Sequence, residues 1–142
     1  MDAPGPSSRS VNDVSSCAAR FDLLPVATSV TVARHVVLEL LRAWDVPHDR
    51  EDAALLVTEL TSNVVDHVRG EATFTVELEL SDQWLRIGVI DGSAIRPVVR
   101  EMTTDNPRGR GMRMVQAIAD RWGADEHLEG KRVWFELRPP GM

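Results

Sequence analysis

The stretch ATFTVELELSDQWLRIGVIDG, residues 72–92, decides the fold. Phe74, Val76, Leu78 and Leu80 alternate with Thr73, Thr75, Glu77 and Glu79, the period of a strand with one buried and one wet face. Ser81-Asp82-Gln83 supplies a turn, and Leu85, Ile87 and Val89 mark one face of an antiparallel partner over Trp84–Ile90. A hairpin with a single apolar face needs a second layer to cover it.

The segments on either side provide that layer. From about Ser29 to Trp44, apolar Val30, Ala33, Val37, Leu40, Leu41 and Trp44 recur at helical spacing, with Thr28 or Ser29 as cap and Pro47 closing the exit. A second helix is expected over Arg50–Arg69, capped by Asp49 and ended by Gly70, with Ala53, Val57, Leu60, Val64 and Val68 inward. A short strand over Arg20–Leu24 precedes them. Residues 1–19, rich in Ser and Pro and without periodicity, read as a disordered tail, leaving 20–142 as one domain. Residues 92–108 have no regular period and suit a lid. Gly109–Arg121 returns to helix, and a closing hairpin runs from Trp122–Leu128 through Glu129-Gly130 to Val133, Phe135 and Leu137. The order β-α-α-β-β-loop-α-β-β predicts an α+β two-layer sandwich, with helices on one face of a mainly antiparallel mixed sheet.

Composition narrows the function. At 142 residues and 43% apolar, the chain can bury one real core. A net charge of -6 argues against direct nucleic-acid binding, which needs a basic surplus against phosphate. The single cysteine, Cys17, excludes an internal disulfide and a cysteine zinc cluster. No apolar run reaches the roughly 20 residues that span a bilayer, and no signal-like leader opens the chain, so a cytoplasmic protein without membrane contact is expected.

Three polar groupings could carry chemistry. On the second helix Glu59, Asn63 and Asp66 project within a narrow arc, with His67 at the border of the apolar face. This stripe is either an ordinary solvated face or a pocket wall whose oxygen donors suit hydrated Mg²⁺. Asp91-Gly92 at the strand end is either a turn or an acceptor for an exocyclic amine such as adenine offers. Gly109-Arg110-Gly111 opens a helix, with Arg108 and Arg113 nearby; it is either a flexible helix entry or a phosphate-binding N-terminus. The histidines His35, His48, His67 and His127 lack ligand spacing, and Ser62 lacks a nucleophile elbow.

Taken together, these groupings resemble the Bergerat ATP-binding fold of the GHKL superfamily, over about residues 20–138. Glu59-Leu60-x-x-Asn63-x-x-x-His67 looks like the N box, Val89-Ile90-Asp91-Gly92-Ser93 like the first glycine box, and Gly109-x-Gly111-Met112-x-Met114-Val115 like the second. A stand-alone domain ending in Gly130-Lys131-x-Val133-Trp134-Phe135 is similar to the anti-sigma-factor serine kinases. That resemblance implies ATP and Mg²⁺ as cofactors, Asn63 as metal ligand and Glu59 as the catalytic base. It implies nucleotide contacts from His67, Asp91, Gly92, Arg108, Gly109, Arg110, Gly111 and Met112. It places Arg132 where many relatives carry a Thr near the adenine. Implied partners are a sigma factor and a STAS-domain antagonist phosphorylated on serine, with homodimerisation open. The alternative within the same fold is a non-catalytic nucleotide-binding regulatory module.

Overall fold

The computed structural model describes residues 16–67, 72–92, 116–127 and 130–141. Five strands are present among them: β1 (Ser16–Leu23), β2 (Phe74–Ser81), β3 (Trp84–Asp91), β4 (Arg121–His127) and β5 (Gly130–Leu137). They pair in the order β1-β2-β3-β5-β4, and all four pairings are antiparallel. Helices α1 (Ala27–Trp44) and α2 (Arg50–His67) pack on each other and on the sheet. The expected α+β sandwich is the observed one.

Strand alternation selects the covered face. Val76, Leu78, Leu85, Ile87, Val89, Val133 and Phe135 join Ala33, Val37 and Leu41 of α1 and Leu56, Val57 and Leu60 of α2 in one core. The two-residue turn between β2 and β3 puts both Asp82 (φ 53) and Gln83 (φ 69) at positive φ. That is the hairpin geometry whose twist matches its strands.

Boundaries differ from expectation in instructive places. β1 begins at Ser16, four residues earlier than Arg20, because Ser16 to Ala19 extend the ladder along Leu78 to Ser81. α1 begins after Val26, which carries no side-chain cap, and not at Thr28 or Ser29. Ser29 instead lies buried in the first turn, its N–H donating to the Val26 carbonyl at 2.9 Å. Asp49 does cap α2: its Oδ1 accepts from the N–H groups of Glu51 (2.8 Å) and Asp52 (3.2 Å). Residues 116–118 are helical, but the chain has left that helix by Ala119 and enters β4 at Arg121. Gly70 and the expected lid lie outside the described residues.

Candidate functional site

The C-terminal half of α2 carries a polar residue where periodicity leaves open a solvated face or a pocket wall. Asn63 is 2% exposed, between Leu60 and Val64, which both belong to the core. Its Nδ2 donates to the Glu59 carbonyl at 3.1 Å, one turn back, and this bond holds the carboxamide against the helix. Its Oδ1 is buried and accepts no hydrogen bond among the described residues. A buried carbonyl-type oxygen left this way costs about 1–3 kcal/mol unless a donor or cation meets it. Thr61, also buried, shows the contrast: its hydroxyl donates to the Val57 carbonyl at 2.7 Å. Glu59 and His67 are half-buried on the same helix, and Asp66 is exposed.

Asp91 ends β3 with the same parity as Val89, so it lies on the helix-covered face. Its cross-strand partner is Lys131, which is 6% exposed and shares its parity with Val133 and Phe135. Next to it, Gly130 holds φ +147, and a Cβ there would collide with the Asp91 carbonyl oxygen. Only glycine permits this approach. Gly130 therefore starts β5 instead of completing the turn, and the two strand ends meet backbone to backbone.

This register corrects one expectation. Arg132 does not stand opposite Asp91, as its expected place near a base would suggest. It stands one residue further on, facing away from the helices, with its Nε 3.2 Å from Glu77 Oε1 and Nη1 3.8 Å from Asp125 Oδ1. The residue that shares Asp91's face is Lys131. Spacing from a motif could not separate the two, because adjacent strand residues point to opposite faces and a one-residue offset reverses the assignment.

The topology runs α2 toward the end of the sheet that holds Asp91. His48, just before α2, sits by the backbone of Gln83, Leu137 and Arg138, which is the turn end of the β2–β3 hairpin and the exit of β5. From there α2 runs 18 residues, about 27 Å, along a sheet whose eight-residue strands span about 26 Å. Asn63, Asp66 and His67 thus arrive at the opposite end of the sandwich, where Phe74, Asp91 and Lys131 meet. Gly92 follows at this end and is exposed. Arg108, Gly109, Arg110, Gly111, Met112 and Arg113 lie outside the described residues.

The open face of the sheet holds a hollow of about 560 Å³ lined by Arg20, Glu77, Glu79, Arg86 and Arg132. No residue predicted for catalysis or binding lines it. Its arginines are engaged with sheet carboxylates, so it is a separate feature from the Asp91 end. Among the described residues, no cluster of His, Cys, Asp or Glu could hold a metal by itself, and no helix is long and apolar enough to cross a membrane.

Comparison with known proteins bears on this geometry. No curated protein matches the chain. Eleven chains of solved structures match. One of these is the crystal structure of the RsbU and RsbW domains of Rv1364c from Mycobacterium tuberculosis, at TM-score 0.62 and 19% identity. The match covers 86% of this chain but only 32% of that one, so the present chain spans about a third of the matched structure's length. At that identity the likeness shows the fold. Residues 25–137 match the family of histidine kinase-like ATPase domains, a span that holds α1, α2, the Asp91 end and both hairpins. The chain belongs to the histidine kinase-like ATPase domain family.

Proposed function

We propose that this protein is an ATP-binding anti-sigma factor and serine protein kinase, which sequesters a sigma factor and phosphorylates a STAS-domain antagonist. The observation that carries the reading is the Asn63 oxygen, buried and without a hydrogen-bond partner among the described residues. Its chemistry fits Mg²⁺, a hard cation that takes neutral and anionic oxygens. Mg²⁺, when bound, neutralises charge on the transferring phosphates. Asn63 would hold it, Asp91 would accept from the adenine amine, and Glu59 would take the proton of the serine hydroxyl as its oxygen attacks the γ-phosphate and ADP leaves. His67 and Gly92 would border the nucleotide, and Arg108, Gly109, Arg110, Gly111 and Met112 are the proposed phosphate contacts. The RsbW domain of the structural neighbour supports sigma-factor and antagonist partners, and the acidic net charge fits protein partners better than nucleic acid. A cytoplasmic setting fits such partners.

The test is incubation of the protein with Mg-ATP and a purified STAS-domain partner, followed by phosphoprotein detection. Phosphoserine on the partner is expected. Glu59→Gln should keep ATP affinity while transfer falls about 10²–10⁴-fold, the usual contribution of a positioned base. Tight ATP binding with no phosphoprotein from the parent protein would convert the reading to a non-catalytic nucleotide-binding regulator.

A further inference from the structure

We infer that the open face of the sheet is a self-complementary interface, on which a second copy of this chain packs sheet against sheet. The inference does not depend on the nucleotide reading. The open face divides into two unlike halves. On β1 and β2, Ser16, Ala18, Thr75 and Ser81 are small, and the hollow of about 560 Å³ opens here over Ala18, Glu77 and Glu79. The carboxylates of Asp22, Glu77 and Glu79 stand in this half against the guanidinium of Arg20. Glu79 is exposed and makes no ion pair among the described residues. On β3, β5 and β4 the same face carries its bulk. Trp84 and Trp134 each have a guanidinium over the ring, from Arg121 at 3.5 Å and Arg86 at 4.3 Å. Arg86, Arg121 and Arg132 stand in this half against Asp125 and Glu136.

A two-fold interface joins one surface to itself, so it needs a face that carries both a shape and its complement. A hollow half with surplus negative charge and a bulky half with surplus positive charge meet that need. The register shows how they align. Ala18, Glu79, Arg86, Glu136 and Arg121 form one row across the sheet, and β3 is the middle strand. A two-fold axis along β3 lays β4 of one copy over β1 and β2 of the other. Arg121, whose side chain is 54% exposed, then enters the hollow above Ala18 and meets the carboxylate of Glu79, and the symmetry makes this contact twice. Five strands about 4.8 Å apart and about 26 Å long offer roughly 600 Å² per copy, about 1,200 Å² in all, which reaches the size of a stable interface. Trp and Arg, the bulk of the raised half, are the residues that most often dominate binding energy at such surfaces.

The test is sedimentation velocity of the full chain over about 1–100 µM, with circular dichroism to confirm that each variant is folded. The parent should be a dimer. Ala18→Arg and Glu79→Arg should each weaken dimerisation by about tenfold or more, since each sets a cation against Arg121 of the other copy. Arg121→Glu should do the same against Glu79. An equimolar mixture of Glu79→Arg and Arg121→Glu should dimerise again, because both symmetry-related contacts then join opposite charges. Arg34→Glu, exposed on α1, should keep the parent's dimer. Ala18→Arg removes no native ion pair and decides the question if Arg121→Glu fails to fold. A parent that stays monomeric at the highest concentration overturns the inference. So does a dimer that none of the open-face variants weakens, which would put the second copy elsewhere, or one that Arg34→Glu weakens equally. Single variants that dissociate while their mixture stays monomeric overturn the placement of β4 over β1 and β2.

Discussion

The two faces of the sheet are built from the same strands and hold together by different forces. The covered face buries Phe74, Val76, Leu78, Ile87 and Phe135 at 1% exposure or less under α1 and α2. The open face is a ladder of charges and rings. Arg86 pairs with Glu136 at 2.9 Å and lies 4.3 Å over the Trp134 ring, while Arg121 reaches the other Glu136 oxygen at 2.9 Å and lies 3.5 Å over Trp84. Trp134 Nε1 donates to Asp125 at 3.2 Å, and its indole lies flat over Gly123, where a Cβ would stand 2.6 Å from Cζ2. Burial drives the first face and its free energy scales with area. The second is half-wet, so its ion pairs are individually weak and its aromatic stems supply much of the packing. Of the polar residues offered for chemistry, Asn63 is buried under the core and Asp91 is half-buried on the strand face that carries Val89.

The contrast can be broken in one strand. Phe135→Ala should cost about 3–5 kcal/mol of stability, the usual loss for an aromatic removed from a core. Trp134→Ala, one residue away on the open face, should cost no more than about half of that. Equal midpoints in denaturant titrations of the two variants would erase the distinction between the faces.

A smaller effect sharpens the comparison at the site. Asp91→Asn should weaken ATP binding by about 1–3 kcal/mol, because a charge-assisted bond to the base becomes a neutral one. Calorimetry that finds parent affinity would remove Asp91 from the base pocket.

Acid sensitivity should come from the covered side too. His48 is 5% exposed, and neither ring nitrogen makes a well-formed hydrogen bond. Burial lowers its pKa from the ordinary 6.5, partly offset by the backbone carbonyls of Gln83, Arg138 and Leu137 and by the Asp120 carboxylate. The unfolded chain then binds the proton more readily than the folded one. Stability should be full above pH 6.5 and fall as pH drops below it, by at most about 1.4 kcal/mol per unit. Asp52 works in the opposite sense and in a lower window. Burial, with Asp49, Glu51 and Asp120 nearby, raises its pKa from 3.8, so its contribution improves as the solution becomes more acidic. Thermal melts of His48→Gln between pH 5 and 7 should lose the slope that the parent shows.

The smallest effect belongs to the open face. Arg20 lies 3.8 Å from Glu77 with its side chain 55% exposed. Arg20→Ala should shift stability by less than about 0.5 kcal/mol, and the shift should vanish in high salt. A loss above 1 kcal/mol would mean that the open-face ladder acts as a coupled network.

Periodicity made much of the fold legible. Alternation over Phe74–Leu80 and Leu85–Val89 sorted inward from outward residues correctly, and the Asp49 cap and the α2 core positions Ala53, Val57, Leu60 and Val64 follow from local chemistry alone. These features depend on neighbours in sequence. The early start of β1 was hidden because its reason is a ladder to β2, more than fifty residues away. Asn63 read as a member of a polar stripe that was either solvated or a pocket wall, since helical angle cannot say how far a packed layer wraps around a helix.

What the sequence determined by itself is therefore the set of elements and the chemical types available: an acid and a carboxamide one helical turn apart, and an aspartate at a strand end. Only the tertiary structure decided that Asn63 is buried with an oxygen unmatched among the described residues, and that Lys131, not Arg132, shares a face with Asp91. The physical reason is that period and propensity are local, whereas burial and cross-strand register arise when distant segments meet. A one-residue difference in register moves a side chain to the other side of the sheet.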